Sequence, residues 1–471
     1  MMNLRKPILL DDVRSAETHL TLNNRLWNWR KGQLADAAAP ATYYEASLAP
    51  WAEFAPLNTD RQCDVLVVGG GLLGASTALH LAQSGLDVVL VEKDSIGSAA
   101  SGRNGGQLTP GLARWEAADM IAHLPVDQAK RLWRLASVEA MELVDEIAQR
   151  YDMDFDRRRG HLTAAVHPGH MSALIEGADA RRYLGDDSVD VVGAYELEQH
   201  IRSDIYHGAT VDRLGGQVHP LALLRGLVYG LVQQGGTVHE GTEVQAIEQT
   251  SSGALAITPG GTITARKALV LAVHNTTFQF LDGQANTTVP FYTYVGVTTP
   301  LQQDVAQLLP SDMAVYDTQF QIDYYRAVRQ NRLLFGGQGT GSSWSPERIN
   351  DYLLERIRTV FPQLDQPELE FSWSGISDFT LNGATDCRKT DDAVPVYMVH
   401  GWSGHGVAQT VRIGKAISDD VAGRNEDFAL LTGIDHMAIP LGRQLSAMAI
   451  PVVKAAIGVV GAINPGRLVS F

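Results

Sequence analysis

A short apolar run that breaks into three consecutive glycines, residues 69 to 71, constrains this chain's fold more than any other feature. Val65, Leu66, Val67 and Val68 carry no polar interruption, the pattern of a strand buried on both faces of a parallel sheet. Gly69-x-Gly71-x-x-Gly74 follows at once, and Ala75, Ala78, Leu79 and Ala82 then repeat at helical spacing with small side chains facing the sheet. In such a unit Gly69 permits the tight turn, Gly71 lets a pyrophosphate approach the backbone, and Gly74 lets helix and strand pack closely. The phosphates sit at the positive helix N-terminus. A second strand, Val88 to Val91, ends in Glu92, an acid placed to accept hydrogen bonds from a ribose diol. A glycine-rich turn before an ordinary helix does not explain Glu92, so the pattern predicts a dinucleotide site.

Ser101 to Gln107 reads SGRNGGQ, a glycine-rich loop where a chain running under an extended cofactor needs residues without bulk. The stretch GGGLLG…VEKDSIGSAASGRNGGQ resembles the FAD-binding start of the D-amino-acid-oxidase-like flavoproteins, and its SGRNGGQ spelling is closest to the gamma-glutamylputrescine oxidase group. The resemblance implies FAD rather than NAD. It implies cofactor contacts at Gly69, Gly71, Leu73, Gly74, Glu92 and Lys93, and along the loop at Ser101, Gly102, Arg103, Asn104, Gly105, Gly106 and Gln107. It also implies an α/β protein in which a Rossmann-like FAD-binding domain is interrupted by a discontinuous substrate domain built on a mainly antiparallel sheet.

Composition narrows the partners. A chain of 471 residues with 45% hydrophobic residues is long enough for two packed domains. A formal charge of -15 disfavours nucleic acid or an anionic membrane, since both reward a basic face. Cys63 and Cys387 are the two cysteines, too few for a disulfide framework or a cysteine metal cluster, and a cytoplasmic location is expected. The charged N-terminus lacks a sustained apolar region and does not read as a secretory signal. His161, His167 and His170 are close in sequence but lack metal-ligand spacing and an acidic third ligand. They read as structural, and no metal site is expected.

Residues 1–60, with Trp27, Trp29, Tyr43, Tyr44, Trp51 and Phe54 and prolines at 40, 50 and 56, read as an arm packed on the surface. Segments 61–150, 208–283 and 373–440 are assigned to the FAD-binding domain, 151–207 and 284–372 to the substrate domain, and 441–471 to a C-terminal helical tail. Residues 126 to 150 have the spacing of one amphipathic helix. Within 215–247 the pattern gives a helix over Leu221 to Val232, a short strand near Val238 and another around Val244. The resemblance lays the latter, with Val244, against the adenine. Strand Val396 to His400 feeds the loop GWSGHG, and a helix follows whose N-terminus can stabilise negative charge. This resembles the family's SGHG loop over the isoalloxazine, which implies Gly404, His405, Gly406 and Val407 beside the flavin. The run IDYYRAVRQNRLLFGG carries the same resemblance, so Tyr325 and Arg326, with His405, are the catalytic candidates and Tyr324 stands beside them. Strand alternation lets only some of these neighbours line a pocket. The tail LSAMAIPVVKAAIGVVGAIN is apolar but interrupted by Pro451 and Lys454, and reads as a docked helix with peripheral membrane contact the disfavoured alternative.

Three departures qualify the resemblance. Ser377 stands where many sarcosine oxidases carry the flavin-linking cysteine, so FAD is expected to be non-covalent. Val407 and Ala408 replace the phenylalanine and lysine that in those enzymes follow SGHG, which disfavours an N-methyl amino acid gripped in that manner. ATDCRKTDD follows the segment aligned with TLNG, where relatives have a proline and a glycine. No second strand-GxGxxG-helix unit appears, since Ser342 occupies the third position of GGQGTGSS, so electrons are expected from the organic substrate rather than from a pyridine nucleotide.

The expected activity is FAD-dependent oxidation of a C–N bond in an amine or amino acid, a gamma-glutamylputrescine-like amine favoured. Hydride passes to flavin N5 and the imine is then hydrolysed, with oxygen or a quinone or carrier as electron acceptor. Two alternatives stand beside it: a flavin dehydrogenase of another C–H donor such as a hydroxy acid, and a non-catalytic flavin-binding assembly protein.

Overall fold

The computed structural model describes residues 4–14, 42–251, 253–280, 286–424 and 426–468; Trp27, Trp29 and the proline at 40 lie outside them. Five parallel strands form the centre of the first sheet, in the order Val396–His400, Gly261–Leu271, Arg61–Val68, Val88–Val91 and Thr237–His239. Val67 lies opposite both Leu90 and Val270, and alternate residues feed two cores. Val65, Val67, Leu90 and Val270 face the helices, among them Leu72–Gln83, Pro220–Gln233 and Val407–Val421, while Leu66, Val68, Val89 and Leu271 face the other side with the hairpin strands Ala246–Thr250 and Gly253–Thr258. Both faces are dry, which is why the run around Val67 carries no polar residue. An added strand, Asp386–Lys389, pairs antiparallel with Val396–His400.

The second sheet runs Leu369–Thr380, Thr288–Thr298, Arg332–Thr340, Asp323–Val328, Ala314–Asp317, Arg158–Ala164, Gly208–Gln217 and Gln107–Leu108, with Val189–Gly193 also paired to Gly208–Gln217. It is mixed and not antiparallel throughout: among the described residues, seven of its eight strand pairings are antiparallel, and one is parallel. Ala314–Asp317 runs parallel to Arg158–Ala164; the chain re-enters this sheet from the first at Thr288–Thr298 and then reaches Ala314–Asp317. Two strands depart from the segments drawn from sequence: Gly208–Gln217 lies wholly in one assigned to the FAD-binding domain, and Leu369–Thr380 straddles the boundary at 373. Gly208–Gln217 and Leu369–Thr380 hydrogen-bond within this second sheet, the latter along most of Thr288–Thr298.

Two local expectations change. The helix expected over 126 to 150 is two helices, Val126–Ala136 and Val138–Arg150, broken at Ser137, whose hydroxyl donates back to Trp133 O. Val244 lies not in a strand but in the extended segment just before Ala246–Thr250. The C-terminal helix, Gly442–Ile463, docks by one edge: a Cβ at Gly341 would lie 2.6 Å from Ala447 Cα, and Pro465 O beyond the helix accepts from His170 Nε2 at 3.0 Å. Its stretch Leu445–Ile463 is long and apolar enough to cross a membrane by length and composition, with a mean hydropathy of 1.9 and 11% buried.

Candidate active site

One elongated cavity of about 1240 Å³ runs from the carboxyl ends of the parallel strands to the second sheet. Its first half is walled by two glycine-rich loops and the strand ends beside them. Gly69, Gly71 and Leu73, with Glu92, Lys93 and Val244, line it, as do Ser101, Arg103, Asn104, Gly105, Gly106 and Gln107. Gly74 and Gly102 lie behind this wall. A Cβ on Gly74 would stand 1.9 Å from Gly69 O, so the close helix–strand approach leaves no room for a side chain. Gly71 caps the helix Leu72–Gln83 without a side chain, and Ser101 Oγ accepts from Leu72 N at 2.9 Å, joining the two glycine loops at the helix's positive end. Glu92 accepts from Gly70 N at 2.7 Å and from Asp94 N at 3.0 Å, and burial pushes its carboxyl pKa up.

The loop 101–107 is held from behind. Asn104 donates to Ala100 O and Ser101 O and accepts from Gly106 N, while Tyr44 Oη donates to Asn104 O at 2.8 Å. Gln107 Nε2 donates to Val315 O at 3.0 Å and Gln107 Oε1 lies 3.2 Å from His161 Nε2, so the loop's end is fastened to the second sheet. Gly105 is glycine for a protein-packing reason: an added Cβ would sit 2.7 Å from the Tyr324 ring.

The other half is lined by side chains from distant segments: Phe291, Tyr316, Tyr324, Gln338, Ile376 and Lys454 among them, with Arg114, His274 and His405. The loop GWSGHG closes it, and Asp378 fixes that loop by accepting from Gly401 N and Trp402 N at 3.1 and 3.2 Å, its backbone oxygen accepting from Ser403 N. Gly404, His405, Gly406 and Val407 line the cavity, and Val407 opens the helix Val407–Val421. The His405 ring lies 5.7 Å from that of Tyr316, and its buried Nδ1 has no partner among the described residues. Burial, then the Arg114 guanidinium, lowers its pKa to about 3, so the imidazole is neutral at pH 7. Asp and Glu reach the cavity, among the described residues, only at Glu92, Asp94 and Glu243, all at the cofactor end.

Two catalytic candidates are corrected. Tyr325 does not line the cavity. Its ring stacks 5.3 Å from Phe335 inside the second core, and its hydroxyl donates to Tyr206 Oη at 3.0 Å. Arg326 is buried under the glycine loop, where it donates to Gly105 O, Val218 O and Tyr44 Oη at 2.8, 3.0 and 3.2 Å. It positions the loop and does not face a ligand. The pleat turns Tyr324 inward instead. Arg114, Tyr316 and Gln338 escaped the sequence reading, since each is single and carries no motif. Lys454 did carry a signal, as the one charge in a long apolar stretch.

The residues present suit FAD. The cavity exceeds the ~300–1,000 Å³ of ordinary ligand pockets, enough for a dinucleotide and a substrate together. A Cβ at Gly69, Gly70 or Gly74 would meet a neighbouring atom at 2.4, 2.4 or 1.9 Å, Glu92 accepts from that cradle at Gly70 N, and the buried His405 Nδ1 has no partner among the described residues at the far end.

Comparison with known proteins agrees with this geometry. The family model described as FAD dependent oxidoreductase matches residues 64–419. Gamma-glutamylputrescine oxidoreductase of Escherichia coli (strain K12) is 33% identical over 406 residues, 86% of this chain and 94% of that protein. Among solved structures, glycine oxidase from Geobacillus kaustophilus superposes with a TM-score of 0.66 at 23% identity, covering 80% of this chain and 100% of that one. L-proline dehydrogenase from P.horikoshii gives 0.66 at 16%, covering 77% and 94%. At those identities the structures speak for the fold, while the family match and the E. coli relative decide membership: this chain belongs to the FAD-dependent oxidoreductase family, as an enzyme of its amine and amino-acid oxidase type with FAD as its cofactor.

Proposed function

We propose that the enzyme oxidises the C–N bond of an amine, with a gamma-glutamylputrescine-like amine as the favoured substrate. One observation carries this reading: the cofactor cradle opens without a barrier into a side-chain-lined chamber whose described walls hold no carboxylate. An alkylammonium finds no anion there to keep it protonated, and Arg114 and Lys454 add positive potential. The amine therefore binds neutral, with the lone pair that C–H oxidation requires. The E. coli relative, matched over 94% of its length, supports the substrate class.

Gly71, Leu73 and the amides of the following helix turn hold the pyrophosphate, Glu92 the ribose, and Val244 the adenine side. Ser377 in the cavity wall offers no thiol for attachment, so the cofactor is held without a covalent bond. When bound, the flavin supplies the two-electron acceptor for the hydride leaving the carbon beside the nitrogen. The helix Val407–Val421 points its N-terminus at the chamber and stabilises the negative charge that accumulates there. Tyr324, Tyr316 and Phe291 orient the substrate and exclude water until the imine is released to hydrolysis. Neutral His405 packs against Tyr316 and donates or accepts a hydrogen bond without carrying a charge.

The test is an anaerobic absorbance titration of the purified enzyme with gamma-glutamylated amines, free diamines and small amino acids. Bleaching of the visible flavin band by a gamma-glutamylated amine is the expected result, and readmitted air then reports whether oxygen reoxidises the enzyme. Bleaching by a hydroxy acid with none by any amine would replace this reading.

A further inference from the structure

The C-terminal helix brings a single charge to the substrate chamber. Lys454 is the only ionisable side chain between Leu445 and Ile463, and it turns inward while Val452, Val459 and Ile463 stay exposed. Ala449, Ile450 and Val453 accompany it on the cavity wall. Lys454 Nζ donates to Gly339 O at 2.9 Å and to Gln338 Oε1, both neutral acceptors. An ammonium has three donors, so one remains for a ligand.

No carboxylate pairs with it among the described residues, and the charge that acts on it is another cation, Arg348, on the helix Pro346–Val360. The strand that faces it contributes Gln338 and Gly339, and between Leu445 and Ile463 its own helix carries no second charge. Burial and then Arg348 draw the ammonium pKa down to about 8, which leaves it mostly charged at pH 7. A half-buried cation held by neutral acceptors lacks a counter-ion, and the chamber supplies none. A free diamine would bring a second ammonium against it. An amine that ends in a carboxylate would complete it. The lysine enters from a helix whose outer face, at Val452, Val459 and Ile463, is exposed, and it is fastened to the strand at Gln338 and Gly339, not to the GWSGHG loop that carries His405.

We propose that Lys454 is the specificity-determining residue of this enzyme, binding a carboxylate at the end of the substrate remote from the oxidised C–N bond, so that acidic elongated amines are taken and free diamines refused. The proposal rests on the C–N oxidation reading above. It assigns to the C-terminal helix a task that the Val407–Ala408 positions after SGHG do not perform.

The test compares gamma-glutamylputrescine, its α-carboxamide, N-glutarylputrescine and putrescine as reductants of the wild-type holoenzyme and of the Lys454→Gln and Lys454→Arg variants. The two acidic amines should be preferred in kcat/KM. Lys454→Gln should raise their KM about 10-fold to 100-fold, the range for a lost charge-assisted hydrogen bond, with the limiting rate of flavin reduction kept and the carboxamide unaffected. Lys454→Arg should recover most of the loss. In parallel, N-butylglutaramate, which has the carboxylate but no amine to oxidise, should perturb the flavin spectrum of wild type and bind correspondingly more weakly to Lys454→Gln. Equal use of acid and carboxamide by wild type, or an equal effect of Lys454→Gln on both, would overturn the proposal. Tight Lys454-dependent binding of N-butylglutaramate by an enzyme that no amine reduces would instead overturn the C–N oxidation reading while leaving the carboxylate site standing.

Discussion

The two ends of the cavity are built by opposite means. At the cofactor end the wall comes largely from two contiguous glycine-rich stretches, and four of its residues, Gly69, Gly71, Gly105 and Gly106, have no side chain at all. At the substrate end the wall is side chains delivered by segments as far apart as Arg114 and Lys454. Main-chain recognition demands a local path, so it leaves a contiguous motif. Side-chain recognition demands only that distant strands meet, and it leaves almost none. The difference also separates rigidity from choice: the first end fixes one cofactor, and the second is free to change its substrate one side chain at a time.

The strongest way to break this contrast is at Gly74. In Gly74→Val the new Cβ would start 1.9 Å from Gly69 O and 3.2 Å from Ala272 Cβ, a clash with main chain that no rotamer relieves. Overpacking of this kind costs about 1–3 kcal/mol or more, and loss of soluble, yellow protein is expected. Gly71→Val meets only Ser101 Oγ at 2.9 Å, so it should fold yet hold less FAD. The ratio of flavin to protein absorbance and the thermal midpoint distinguish the two. Full occupancy in both would mean that the cradle tolerates side chains.

Arg326→Met comes next. It strands the carbonyls of Gly105 and Val218, and a buried group left unpaired costs about 1–3 kcal/mol. The urea midpoint and FAD occupancy should both fall, while the loaded fraction keeps its reduction rate within about twofold. A large loss of rate at full occupancy would return Arg326 to the reacting atoms and blur the line between the two ends.

Much of this contrast was visible in the amino-acid sequence, and its limits have physical reasons. The run 64–107 announced strand, turn, helix and acid because each has its own local period or residue type. The GWSGHG loop and its helix were equally plain. The break at Ser137 was not, since both halves of 126–150 share one apolar face and only a side-chain bond to Trp133 O marks the interruption. The parallel pairing of Ala314–Asp317 with Arg158–Ala164 was beyond reach, because strand periodicity is the same in either direction. At the substrate end the period-2 pattern gave the right strand around Tyr324 to Arg326 but not its phase: three consecutive polar or aromatic residues fit either face. Packing decided it, with Phe335 and Tyr206 drawing Tyr325 into the core and the carbonyls behind the glycine loop drawing Arg326.

Glu92→Ala tests the one side chain on which the cofactor end depends. It loses the acceptor for Gly70 N and Asp94 N and the one proposed for the ribose, and FAD should bind about 10-fold to 100-fold more weakly. The carboxylate also sets a pH dependence. Burial raises its pKa, and hydrogen bonds from a ribose would favour the ionised form, so FAD affinity should climb as pH rises through a value above the ordinary carboxylate range. Equilibrium titration of apoprotein between acid and neutral pH checks this, and an affinity independent of both pH and Glu92 would leave the cofactor end wholly main-chain.

The smallest effect is expected at Tyr325, where the phase of the strand makes the difference between core and cavity. Tyr325→Phe keeps the ring stacked on Phe335 and removes only the hydroxyl that donates to Tyr206 Oη. One neutral hydrogen bond contributes about 1 kcal/mol, so the thermal midpoint should drop by a few degrees. Steady-state kcat/KM for the best amine should not change, and Tyr324→Phe, one residue away but facing the cavity, is the matched control. If the two variants behave alike in kcat/KM, the pleat does not separate a structural tyrosine from a substrate-facing one; if only Tyr324→Phe moves KM, it does.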